Sequence, residues 1–129
     1  MRLRTSAAAV LAVVAAALPA APAAGQDRPR LRVAPAEVAL GEQTVVRGAR
    51  WPVFESCSRR VRLTLESAQN AAPIGRLRVR DSGRFAFRFT PEADAIGPGD
   101  WRVVARMRCE RGDDGSPFTL RRAASLRIR

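Results

Sequence analysis

From Leu31 onward the chain alternates apolar and polar residues in short runs, each closed by Gly, Pro, Asp or Asn. Arg60-Val61-Arg62-Leu63-Thr64-Leu65-Glu66 and Arg84-Phe85-Ala86-Phe87-Arg88-Phe89 show it most clearly. Successive side chains of an extended backbone point to opposite faces, so a period of two suits a half-buried strand and not a helix. Seven strands follow from the pattern. The first is broken at Pro35 into Leu31–Val33 and Val38–Leu40, and the second is Gln43–Arg47. Arg60–Glu66, Ile74–Arg80, Arg84–Thr90, Trp101–Cys109 and Phe118–Arg129 complete the set. Asp81-Ser82-Gly83, Gly97-Pro98-Gly99-Asp100 and Gly112-Asp113-Asp114-Gly115 supply turns. The pattern predicts an all-β domain, a sandwich of two sheets, with a small five-stranded barrel as the alternative.

The segment before these strands reads differently. Arg2 and Arg4 precede an apolar run from Ala7 to Leu18, which Pro19 and Pro22 end before the small residues Ala20 to Gly25. Basic, apolar and small segments in that order are the layout of a secretory signal peptide. The run is shorter than the ~20 apolar residues that span a bilayer. Residues 1–25 are therefore expected to be a cleaved leader, 26–30 a flexible lead-in and 31–129 one folded domain. That domain is expected outside the cytoplasm, secreted or in the periplasm or cell envelope, as a monomer without a membrane span. Two of the 23 basic residues lie in the leader, so the mature part sets 21 arginines against 12 acids, a net charge of +9. All basic residues are arginine, and histidine and tyrosine are absent. GC-rich codon usage explains that bias simply, yet each cation can still make forked contacts to phosphate or carboxylate.

Seven short strands in about 100 residues are the pattern of an immunoglobulin-like β-sandwich. The motifs agree. Pro35, Gly41, Gly48 and the step Trp51-Pro52 resemble the opening of bacterial immunoglobulin-like domains of secreted and surface proteins. Asp81-Ser82-Gly83-Arg84-Phe85 resembles their mid-domain hairpin, and Gly99-Asp100-Trp101-Arg102-Val103 their penultimate strand. The resemblance spans residues 31–129 and implies adhesion, spacing or ligand binding in place of catalysis. The opening and the Gly-x-Phe-x-Phe hairpin are also similar to the apoproteins of enediyne antibiotics, which implies the alternative of a small-ligand carrier. Those carriers usually have two local disulfides and an acidic balance, unlike this chain.

Two cysteines in an exported chain point to one disulfide. Extending the parity of Val61, Leu63 and Leu65 backwards puts Cys57 on the core face, and Trp101, Val103, Ala105 and Met107 put Cys109 there too. In the sandwich topology their strands are antiparallel neighbours, with the start of one beside the end of the other. A Cys57–Cys109 pair is the expectation.

Catalytic chemistry has little to work with. Without histidine there is no imidazole base and no common metal ligand, and a disulfide consumes both thiols. Glu92 with Asp94 and Asp113 with Asp114 are the closest carboxylates, and both pairs read as turn residues. No catalytic residue, metal or cofactor is expected. Arg111-Gly112-Asp113 spells an integrin-type tripeptide, for which chance is a serious rival in so short a motif. Single-strand nucleic-acid binders need charge and rings on one surface. On Arg84–Phe89 the two alternate between faces, so nucleic acid is an unlikely partner and the phenylalanines are core.

The outward arginines remain. Parity turns Arg60, Arg62, Arg102, Arg106 and Arg108 outward, and the sandwich topology makes their two strands neighbours, with Arg121, Arg127 and Arg129 on the last. Arg76, Arg78 and Arg80 extend that face only if the fourth strand joins the same sheet. Arg122 has inward parity, which predicts a bulge or a kink before Leu126. Outward positions must be polar in any sheet. The functional reading is a basic face that docks on polyanions: an anionic cell-envelope polymer, anionic lipid headgroups or an acidic protein.

Overall fold

A computed structural model describes residues 28–94 and 96–129. The leader and its cleavage site lie outside the described residues. Of the lead-in, Pro29 is buried and Arg30 already opens the first strand.

The strands are β1 (Arg30–Ala34), β2 (Glu37–Val38), β3 (Thr44–Ala49), β4 (Cys57–Glu66), β5 (Ala71–Arg78), β6 (Phe85–Phe89), β7 (Gly99–Glu110) and β8 (Pro117–Ile128). They form two sheets, ordered β1-β3-β6 and β2-β8-β7-β4-β5. This is the strand order of an immunoglobulin-like sandwich, with the first strand divided between the sheets. The break at Pro35 makes that division. β1 pairs antiparallel with β3, and beyond the proline β2 pairs parallel with the end of β8. Proline has no N–H for a ladder, so pairing stops there. Its carbonyl accepts a 2.6 Å bond from the hydroxyl of Thr44, which is fully buried.

Alternation fills the space between the sheets. Val33, Val46 and Phe85 from the smaller sheet face Val61, Leu63, Leu65, Val103, Ala105, Met107, Leu126 and Ile128 from the larger. Each of these side chains apart from Ala105 contributes about 1.5–3 kcal/mol by leaving water. Both tryptophans are core, and each indole N–H is bonded: Trp51 to the Arg30 carbonyl at 3.0 Å, Trp101 to that of Gly97 at 2.9 Å.

Two glycines are set by aromatic rings. Gly48 stands opposite Phe85 in the β3–β6 ladder, and a Cβ there would come 2.1 Å from a ring carbon. Gly75 on β5 gives Phe87 of the other sheet the same clearance, at 2.4 Å. Gly48→Ala is expected to cost roughly 1–3 kcal/mol by overpacking. In urea denaturation the double variant Gly48→Ala with Phe85→Leu should cost less than the two singles combined. Additivity within about 0.5 kcal/mol would show that ring and glycine do not compete for the same space.

One expectation needs correction. The bulge before Leu126 is absent: β7 and β8 pair without a register shift from Gly99↔Ile128 to Glu110↔Pro117. Arg122 does point inward, but its Nε donates to the Pro29 carbonyl at 2.9 Å and Nη1 to the Arg121 carbonyl at 2.7 Å. Those bonds satisfy the guanidinium where the chain enters β1, so the backbone need not bend to expel it. The irregularity lies in β4. Cys57 pairs with Cys109 and Val61 with Met107, so β4 spends two more residues than β7 over this stretch. An excess of two preserves parity, where an excess of one would turn Cys57 to the wrong face.

The disulfide forms between Cys57 and Cys109, whose Cα atoms are 4.0 Å apart. It joins neighbouring strands of one sheet. Immunoglobulin domains of antibodies instead link the two sheets.

Candidate functional site

The outer face of the five-stranded sheet carries the arginines. Ladder registers set Arg62 opposite both Arg76 and Arg106, and Arg106 opposite Arg121. One row of four guanidinium-bearing residues therefore crosses β5, β4, β7 and β8. A second pair sets Arg78 opposite Arg60, and Arg108, where the β4–β7 ladder is interrupted, stands beside Thr119 and lines the same groove. Neighbouring strands lie about 4.8 Å apart, and alternate residues of one strand about 6.8 Å. Like charges directly opposed across strands destabilise a sheet, by a few tenths of a kcal/mol at exposed positions. This face contains four such pairs.

Row and pair enclose an open groove of about 930 Å³, lined by Arg60, Arg62, Arg76, Arg78, Arg106 and Arg108, with Ser58, Thr119 and the edges of Val61 and Leu77. No acidic and no aromatic residue is among the described residues lining it. Four of the five arginines expected to act together are thus brought into one groove. Arg102 is not with them. It stands opposite Glu66 in the ladder and lines a separate recess with Glu66, Asp100 and Val104. Arg76 and Arg78 join because β5 pairs with β4, which alternation along β5 leaves undecided. Arg80 falls beyond the strand, in the turn to Arg84. Arg127 and Arg129 at the far end of β8 are paired with Glu37 and Glu42 at 3.7 and 3.4 Å.

Glu66 is a part of the site that the sequence reading passed over, although it shares the outward parity of Arg60 and Arg62. Arg106 reaches along the face to it, with Nη1 to Oε2 at 3.0 Å and Nη2 to Oε1 at 3.3 Å. Nη1 also donates to the Thr64 hydroxyl at 3.0 Å, which itself donates to Glu66 at 2.9 Å. The hydrogen bond from Arg106 holds the Glu66 carboxyl below its ordinary value against the opposing effect of burial, helped by Thr64 and by the charges of Arg106 and Arg121. Because the folded value is the lower one, the pair contributes stability above the ordinary glutamate range. That contribution is lost as pH falls through the depressed value. Val104 has outward parity yet is fully buried, in the recess flanked by Arg102 and Arg121.

Other sequence candidates are engaged structurally. The Arg111 guanidinium lies 5.8 Å from the Phe118 ring centroid. Asp114 accepts from the backbone N–H and hydroxyl of Ser116, and Asp113 from the N–H of Asp114, as turn residues do. Arg59, in the left-handed region at φ 60°, folds back onto Asp81 and the Val79 carbonyl. Among the described residues no group of three or more His, Cys, Asp or Glu is placed to hold a metal ion. A second recess, about 400 Å³ and mostly apolar, lies beside the disulfide between Trp51, Pro52, Phe54, Phe118 and Leu120.

No protein-family model matches the chain, and no curated protein matches it in sequence. Among solved structures it is similar to murine CRIg, with 11% identity and a TM-score of 0.43, covering 79% of this chain and 98% of that one. Strand order and register, and not this likeness, mark the fold as an immunoglobulin-like sandwich.

Proposed function

We propose that this protein is an exported, non-enzymatic binding module that docks on anionic polymers or acidic partners of the cell envelope through the arginine groove of its larger sheet. The observation that carries the reading is the groove itself: six arginines line it without an acid among the lining residues, although Glu66 beside the groove holds Arg106. A folded domain that sets arginine opposite arginine four times gains when a multivalent anion relieves the repulsion and displaces bound counterions.

Binding should fall steeply with salt, because the field of the face reaches only about 8 Å at physiological ionic strength. Arg62→Glu with Arg108→Glu is expected to weaken binding of a soluble polyanion on the order of 100-fold at low salt. Arg106 is left intact in this variant, since a carboxylate there would face Glu66. Arg84→Glu with Arg88→Glu changes net charge equally on the opposite sheet and should weaken binding by no more than about threefold. Titrations at two salt concentrations check this, and equal losses in the two variants would reduce the arginines to solubilising surface.

The apolar recess beside the disulfide favours a second reading, a small-ligand carrier, its volume falling within the range of ligand pockets. Uptake of a hydrophobic chromophore, lost on Phe118→Arg, would favour that reading.

A further inference from the structure

Resting on the polyanion reading above, we infer that the ligand is a linear phosphate polymer that crosses the larger sheet perpendicular to its strands, over Arg76, Arg62, Arg106 and Arg121 in turn. Direction follows from where the positive field ends. Along the strands it is closed at one end by Glu66, opposite Arg102, and at the other by exposed Glu110 at the end of β7. Across the strands it is open at both margins. β5 is an edge strand, and β2 pairs with β8 only at Arg127 and Ile128, well past Arg121. A chain laid across the strands meets four guanidinium-bearing residues in succession at about 4.8 Å intervals, of which Arg106 is already shared with Glu66, and leaves the domain on either side. A chain laid along a strand meets a carboxylate at each end.

The chemistry follows from how these guanidiniums are placed. Glu66 shows what a carboxylate does on this face: its two coplanar oxygens take both Nη groups of one arginine. A carboxylate polymer would have to supply one anion per arginine at the strand spacing. A tetrahedral phosphate directs its oxygens apart and accepts from guanidiniums on two adjacent strands, so fewer anions neutralise the row. The groove lining offers no ring on which a base could stack, which sets phosphate without bases above single-stranded nucleic acid.

The oxidised protein would be titrated with long-chain inorganic polyphosphate, tripolyphosphate, polyglutamate and single-stranded oligothymidylate, compared per anionic group at low salt. Long polyphosphate should bind on the order of 100-fold more tightly than tripolyphosphate, because later contacts are intramolecular. Arg76→Gln and Arg121→Gln, at the two ends of the row, should each lower long-chain affinity about tenfold and leave tripolyphosphate within about twofold. Arg102→Gln, outside the row, should change neither. The inference is overturned if chain length has no effect, if Arg102→Gln costs as much as Arg121→Gln, or if polyglutamate or oligothymidylate equals long polyphosphate. Absence of binding to all four probes would instead remove the polyanion reading beneath it, as would full affinity in Arg62→Glu with Arg108→Glu.

Discussion

Reducing the Cys57–Cys109 bond is expected to lower the melting temperature of the domain by roughly 15–30 °C. The bond joins residues 52 apart in sequence. Closing a loop of that length removes enough chain entropy from the unfolded state for about 4 kcal/mol of stability. A domain of this size has ~5–15 kcal/mol in all, so the bond supplies a large share. Its position adds to the effect. It closes the end of the β4–β7 ladder where β4 carries two surplus residues and pairing is interrupted. It does not tie the sheets together, so the reduced domain should keep its β-sheet circular dichroism below the lowered transition. Cys57→Ala with Cys109→Ala should reproduce the shift without reductant, because both sulfurs are buried and leave only small voids. A shift under about 5 °C in both experiments would show that the ladder holds this end unaided.

Trp51→Ala is expected to cost about 3–5 kcal/mol, whereas Phe54→Ala, three residues on, should stay within about 0.5 kcal/mol of wild type. Trp51 is 2% exposed and Phe54 68%. The indole packs 5.6 Å from the Phe85 ring at 56°, and its N–H reaches Arg30 at the start of β1. The backbone N–H of Trp51 donates to Gly83, in the turn before β6, at 3.0 Å. Gly83 adopts φ +78°, and a Cβ there would meet the Trp51 carbonyl at 2.9 Å, so turn and tryptophan are fitted to one another. Trp51 thus ties β1, β3 and β6 together, and its loss opens a cavity beneath all three. Urea midpoints at unchanged slope would measure both variants. Equal costs would mean that the loop after Trp51 buries Phe54 as deeply as Trp51.

Alternation in the sequence determined the strands and their faces because it is local: each residue's side follows from its neighbours in the chain. That is why Phe85, Phe87 and Phe89 share the inner side and Cys57 and Cys109 were legible as a pair. The same parity names the outward arginines of β4, β7 and β8 one by one. It says nothing about which strand lies beside which. Only the pairing of β5 with β4 brings Arg76 and Arg78 into the groove, and only the ladder registers set Arg106 between Arg62 and Arg121 while stationing Arg102 opposite Glu66. Parity marks Arg122 as a misfit, yet the carbonyl of Pro29, brought beside it by the sandwich, gives it a bonded place. Trp51 and Phe54 are alike in apolar character, and the path of the loop between β3 and β4 buries one and exposes the other. Face is a property of one strand's backbone. Neighbourhood is set by pairing between residues far apart in the chain, which a local period does not encode.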